Sequence, residues 1–502
     1  MHLGAAGRAL TLDRASSDPA GTHRAAADPA RRPTVLGVNL YGLQTFNRQP
    51  VFANLMAQGE WMSSRGESWT GLPAEQLDAS GWVRFLRPGE KAPHMLMLPS
   101  APFRPTTVHC TYAGKGELTA DGVARIVARE ANGMTLALDP TGKPDEMAWI
   151  ELLRTDPQDP IRNIDCRREG VSPEARFDPE FLSFLSGFKV IRFLDWQQVN
   201  DNLQVEWATR TVPSSASQAG PAGASIEDMV DLANAVGADP WFVMPYNADA
   251  EYLRNFARLV HGRLDRRRTV YVEFGNEVWN GMFGAAQQAE REGMALGLGD
   301  GHPFAAQAER YSERMVETMQ IWTAVYADRP GALVRVCSAQ NGVPEMVRIE
   351  LRHRDAAQWV DAVAAAPYIG FDLAGFAATG PDVDRIFAGL PGAIDHAFEM
   401  ADANRAVAAE FGKRFVTYEG GQHLVTGDLE LARAVQRDPR MGAVYARYID
   451  GWQQRFGDTL MLYASTAPIA GYGSWGLREY AGQPMAEAPK LAAVRRFQRA
   501  YQ

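Results

Sequence analysis

The chain has little cysteine, little positive charge and no long apolar run, and each shortage removes a class of function. Three cysteines, Cys110, Cys166 and Cys337, lie far apart with no CxxC spacing. That pattern predicts neither a zinc site nor a disulfide framework, and it implies no metal or other cofactor. Lys and Arg number 51 against 60 Asp and Glu, a net charge of -9. Such a chain lacks the clustered cations that displace counterions from a polyanion, so no nucleic-acid partner is expected. Its one basic run, Arg266 to Arg268, reads as a solvated turn before a strand. No stretch approaches the roughly 18 to 20 apolar residues that cross a bilayer, and no membrane partner is expected. Residues 1–32 lack apolar periodicity and lack the hydrophobic region of a signal peptide, which predicts a disordered N-terminal segment. The protein is then cytoplasmic, or secreted or periplasmic if a leader has been removed.

What is present is a βα rhythm. With 502 residues the chain can form one barrel of the usual size and a smaller unit. Eight β-rich runs alternate with amphipathic segments: Val35 to Leu40, Lys189 to Leu194, Pro240 to Met244, Val270 to Phe274, Leu333 to Cys337, Val360 to Tyr368, Phe415 to Tyr418 and Leu460 to Tyr463. The clearest helix starts at Ser225, which caps Ile226, Met229, Val230 and Ala233 on one face and stops at Gly237. Tyr311, Met315, Met319 and Trp322 recur at helical spacing and read as core. The alternation predicts an α/β protein, a (β/α)8 TIM barrel over 33–67 and 166–502.

Between the first and second runs the rhythm breaks. Residues 68–165 hold short alternating runs, Trp82 to Leu86, Val108 to Tyr112, Ala124 to Ala128, Met134 to Leu138 and Met147 to Leu153, separated by Gly, Pro and Asp turns. This predicts a small β-rich domain inserted after the first barrel strand, at the face where barrels build active sites.

Two strand ends carry the chemistry. Phe274-Gly275-Asn276-Glu277-Val278-Trp279-Asn280 sets a carboxylate directly after an apolar strand, and Phe415-Val416-Thr417-Tyr418-Glu419 sets a second one after another. With these residues the barrel portion resembles clan A of the glycoside hydrolases, whose members place Asn-Glu at the end of strand four and a lone Glu at the end of strand seven. The resemblance implies that Glu277 is the general acid/base and Glu419 the nucleophile of a retaining glycosidase acting on a carbohydrate substrate by double displacement. Such enzymes hold the two carboxyls about 5 to 5.5 Å apart.

The same resemblance implies that Asn276 bonds the sugar 2-hydroxyl, Arg192 supports the nucleophile, Tyr368 hydrogen-bonds it and Trp475 stacks under the sugar. Residues just past other strand ends, Trp279, Trp196, Tyr246, Asp195, Asn247, Asp249 and His423, are further candidates for substrate contacts, with loop capping as the competing role for the polar ones. Two other classes compete. An inactive carbohydrate-binding barrel would not need both glutamates in this context. A metal-dependent or Schiff-base barrel enzyme would need His-x-His or an interior lysine on a strand, and the runs carry neither, apart from Lys189 at an opening edge.

Overall fold

A computed structural model describes residues 32–44, 47–65, 69–97, 105–143, 146–200 and 205–501. The expected disordered N-terminal segment lies outside these residues, except for Arg32.

Eight parallel strands form one sheet: β1 (Val35–Asn39), β2 (Val190–Arg192), β3 (Asp239–Met244), β4 (Val270–Phe274), β5 (Leu333–Ser338), β6 (Ala362–Ala365), β7 (Arg414–Thr417) and β8 (Thr459–Leu462). The spatial order is β7-β6-β5-β4-β3-β2-β1-β8. The ends meet across a seam where Met461 N donates to Thr417 Oγ1 at 2.7 Å and Tyr463 N to Gly420 O at 2.9 Å. Parallel strands need crossovers, and helices such as Ile226–Val236, Ala250–Arg263 and Pro303–Val325 supply them. The protein is a (β/α)8 barrel, and each of the eight strands overlaps one of the runs read from the sequence, four of them extending one residue beyond it.

Alternation along each strand sorts the side chains into two cores. Val270, Val272 and Phe274 of β4 pack outward against the helices, together with Tyr311, Met315, Met319 and Trp322. Tyr271 points inward beside Trp241, Val243, Val336 and Tyr418, and its ring stacks on Trp241 at 5.1 Å. Glu273 shares the inward face, so a carboxylate stands inside the barrel where an apolar residue is the rule. Local signals hold where they were read: Ser225 caps its helix through Asp228 N, and Gly237 ends it at φ 67°.

One expected strand is shortened. Val360 to Tyr368 becomes β6 plus a separate strand Tyr368–Gly370 beyond Pro367, and the latter pairs in parallel with Gly421–His423 above the barrel.

Between β1 and β2 the described residues form a short antiparallel pair, Met62–Ser63 with Thr70–Gly71, and two larger antiparallel sheets. One orders Ala92–Met97, Ala148–Thr155 and Gly116–Gly122; the other orders Arg162–Arg168, Thr106–Ala113, Gly133–Leu138 and Ala124–Glu130. They share an apolar core that includes Val108, Leu118, Leu136, Ile150, Leu152 and Ile164. Trp82 to Leu86, read as a strand, is not one: Asp78 Oδ1 accepts Ser80 N at 2.8 Å and Trp82 N at 2.9 Å and turns the chain. The cysteine reading also needs correction. Cys110 and Cys166 face each other on neighbouring strands and form a disulfide, a pairing that sequence separation concealed. Cys337 is free and buried. Among the described residues no helix is long and apolar enough to cross a membrane, and no cluster of His, Cys, Asp and Glu could hold a metal ion.

Candidate active site

The C-terminal ends of the strands bring Glu419 into a network centred on Arg192 and set Glu277 next to it through Tyr418. The guanidinium of β2 is fully buried and spends its N–H groups in five hydrogen bonds. Nε and Nη2 donate to Glu273 at 2.9 and 3.1 Å, Nη1 donates to Asn39 Oδ1 at 2.9 Å and to Glu419 Oε1 at 2.8 Å, and Nη2 donates to Asn276 Oδ1 at 2.9 Å. Planar, forked donors suit a hub that must orient several oxygens at once.

Glu419 follows β7 directly, and the glycines after it make its position possible. A Cβ on Gly420 would lie 2.5 Å from the Tyr448 hydroxyl, and Gly421 sits at φ 116°. The chain therefore turns at once, and the Glu419 carboxylate, 6% exposed, also accepts the Tyr368 hydroxyl at 2.8 Å. Glu277 stands in a tighter turn after β4, with its own φ at 44°, an uncommon conformation for a residue with a Cβ. Its Oε1 accepts the Tyr418 hydroxyl at 3.0 Å and its Oε2 accepts Asn280 Nδ2 at 2.9 Å. Backbone in such a region marks places where surrounding structure overrides local preference, and these cluster at functional sites.

The electrostatics follow from burial. Burial pushes the Glu419 carboxyl up to about 8, against the pull of Arg192, and the Glu277 charge raises it further. Burial likewise raises Glu277, against hydrogen bonds from Asn280 and Tyr418. Asp195, after β2, is pushed up to about 6 by burial while accepting the Tyr463 hydroxyl at 3.2 Å.

The remaining candidates fall in three groups. Trp475, His423 and Tyr368 adjoin one another beside Glu419: the Trp475 indole N–H donates to His423 Nδ1 at 3.3 Å, and the His423 ring lies 5.5 Å from Tyr368 and 5.8 Å from Trp475. Asn276 is buried, bonded to Arg192 and donating to Asn200 Oδ1 at 3.1 Å. Trp279 is half-buried, with its indole N–H lacking a partner. Asn247 is exposed and accepts from Gln288, and Asp249 caps the helix that follows it. Trp196 and Tyr246 are corrections: both are buried, Trp196 packed on Phe52 and Phe181 and Tyr246 hydrogen-bonded to Glu292.

Sequence reasoning missed Glu273, Asn39, Tyr418 and Tyr463. The signal for Glu273 was readable, since it interrupts the apolar strand Val270-Tyr271-Val272-Glu273-Phe274 at an inward position. The two tyrosines read as core until their hydroxyls are placed.

No family model and no curated protein matches the chain. Solved structures similar to it include a family 51 arabinofuranosidase from Xanthomonas axonopodis pv. citri, at 10% identity over 59% of this chain and 62% of that one, with a TM-score of 0.41. A family 51 alpha-L-arabinofuranosidase from Bifidobacterium longum matches at 11% identity over 63% and 66% of the two chains, with a TM-score of 0.40. A broad specificity endoglucanase from an uncultured bacterium matches at 11% identity over 62% and 82%, with a TM-score of 0.36. The chain spans less than two thirds of the length of these arabinofuranosidases.

Proposed function

We propose that the protein is a retaining glycoside hydrolase in which Glu419 attacks the anomeric carbon and Glu277 serves first as general acid and then as general base. The observation that carries this reading is the pair of carboxyls at the ends of β4 and β7, each held by its own donors, Arg192 and Tyr368 at Glu419 and Tyr418 and Asn280 at Glu277.

The partners divide the roles. Glu419 has a direct cation, Arg192, whose second carboxylate partner is Glu273. Glu277 is held only by neutral donors, the Tyr418 hydroxyl and the Asn280 amide. Two raised carboxyls sharing one cleft hold one proton more readily than none or two. A cation beside Glu419 favours charge there, which leaves the shared proton on Glu277.

In the first step Glu277 gives that proton to the departing oxygen as a Glu419 oxygen bonds to the anomeric carbon. In the second, Glu277 takes a proton from water, which displaces Glu419 and restores configuration. The Asn276 amide, fixed by Arg192 and Asn200, is set to bond a sugar hydroxyl, and Trp475 offers a flat face to a sugar ring.

The test separates the glutamates. Glu419→Ala should abolish turnover on every glycoside, with azide restoring it and giving inverted product. Glu277→Ala should lose about 10²–10⁴-fold on poor leaving groups, keep forming the glycosyl-enzyme from activated aryl glycosides, and be rescued by azide with retention. Labelling of Glu277 instead of Glu419 by a 2-fluoro glycoside would overturn the assignment.

A further inference from the structure

Resting on the glycosidase reading, we propose that this cleft takes an uncharged sugar next to the nucleophile and excludes acidic sugars, with Asp195 as the residue that binds the hydroxyls of that sugar. Three observations converge on it.

The first is charge. The segments that follow the eight strands, 40–47, 193–200, 245–249, 275–283, 339–343, 366–372, 418–424 and 463–475, contain no Lys and no Arg. They carry Asp195, Glu277 and Glu419 at the mouth of the barrel, and Glu273 stands below them. The one cation in this network, Arg192, has its N–H groups committed to protein oxygens. Burial pushes His423 down from its ordinary value. A carboxylate or sulfate on the sugar beside Glu419 would meet like charge and no cation from these segments.

The second is the place of Asp195. It is only partly exposed and its Oδ2 accepts the Tyr463 hydroxyl. Its charge acts on both Glu419 and Tyr41 and raises each. Tyr463 and the Gly42 backbone N–H hold the Asp195 carboxylate, whose remaining lone pairs can accept from adjacent sugar hydroxyls in charge-assisted bonds.

The third is an aromatic wall on the same side. The Tyr463 and Trp475 rings meet edge to face at 5.8 Å, Tyr472 lies 6.4 Å from Trp475, and the Tyr472 and Tyr41 hydroxyls are 3.1 Å apart. Tyr472 is 56% exposed. An exposed aromatic surface beside a fixed carboxylate matches the two surfaces of a neutral sugar, its C–H face and its hydroxyl edge.

The experiment compares full-length wild-type enzyme with Asp195→Asn on paired p-nitrophenyl glycosides, each neutral sugar against its own uronide, with kcat and KM resolved and thermal unfolding recorded for both proteins. Wild type should favour the neutral member by at least about 100-fold in kcat/KM, the order expected for juxtaposed like charges. Asp195→Asn should lose about 10-fold or more on the neutral sugar, as for a hydrogen bond to a charged group, and should narrow the gap to the uronide. Hydrolysis of both members at similar rates by wild type, which needs no variant, would overturn the proposal while leaving the glycosidase reading intact. So would an Asp195→Asn enzyme with unchanged selectivity. No turnover of any glycoside, with no labelling of Glu419 by 2-fluoro sugars, would defeat both readings together.

Discussion

Replacing Arg192 with methionine tests whether one buried cation supports both the barrel interior and the carboxyls at its C-terminal face. The guanidinium is 0% exposed and lies between Glu273 and Glu419. Methionine fills much of the same space yet leaves two carboxylates without their cation. Removing one partner of a buried pair costs about 3–5 kcal/mol, because the remaining charge stays desolvated. We expect that loss in denaturant unfolding at pH 8, and a smaller one at pH 5. The pH dependence has a definite sign. Folding raises both carboxyls of the Glu419–Glu277 pair, that of Glu419 from 4.5 to about 8, so the pair in the folded state holds an extra proton across that window. Its contribution is full below the unfolded value and is lost as pH rises through about 8. Without Arg192 the carboxyl rises further, and near pH 5 it is neutral and needs no counter-charge. Adding Glu273→Gln to Arg192→Met should recover part of the deficit, a coupling of about 1 kcal/mol or more. A loss under about 1 kcal/mol at pH 8, an equal loss at both pH values, or strict additivity in the double variant would refute the argument.

Other expectations follow from single features. Lys490 is buried, donates to Gln436 Oε1 and Ser474 O, and is pushed down to about 7 by burial. The unfolded chain therefore binds more protons between about 7 and 10.5. Wild-type stability should rise through that window by up to roughly 1.4 kcal/mol per pH unit, and Lys490→Met should flatten the rise in denaturation curves. Replacing Cys110 and Cys166 together with serine should cost the two-sheet unit up to about 4 kcal/mol by the chain-entropy argument for its loop, read by calorimetry with and without reductant. At position 277, where φ is 44°, Glu277→Gly should be more stable than Glu277→Ala by about 1 kcal/mol; equal melting of the two would show that the turn relaxes.

The barrel was legible because each strand is a short apolar run and each crossover a longer amphipathic one, and because caps such as Ser225 and Gly237 mark the joints. That Glu277 and Glu419 directly follow β4 and β7 was legible for a related reason: each carboxylate comes at once after an apolar run. The insert was harder to read. Gly116–Gly122 carries Glu117, Asp121 and two glycines, and Ala92–Met97 begins with Pro93 after its first residue, so neither advertises a strand. Their order in the two sheets, and with it the meeting of Cys110 and Cys166, depends on pairings between distant segments that no local pattern encodes. Trp196 misled for the opposite reason, since a position just past a strand end does not fix whether a ring faces the cleft or the helices.

The interior network shows where local rules stop predicting. Arg192 sits opposite Trp241 on β3, and Trp241 sits opposite Tyr271 on β4, so the guanidinium must reach across a whole strand to Glu273. A reader of the sequence sees a charge on β2 and a charge on β4 but not that they meet. The link comes from the inward face that both residues occupy once the sheet closes. Trp241 completes the link by donating its indole N–H to Glu273 Oε2 at 2.8 Å. Burying this group is costly, and a purely apolar layer would stabilise the barrel more. Its retention beneath Glu277 and Glu419 makes sense if the charge serves the cleft above. Fold and site are thereby linked in a testable way: variants of Glu273 should alter the pH response of any activity as well as stability, whereas variants of an outward residue on the same strand, such as Val272, should alter stability alone.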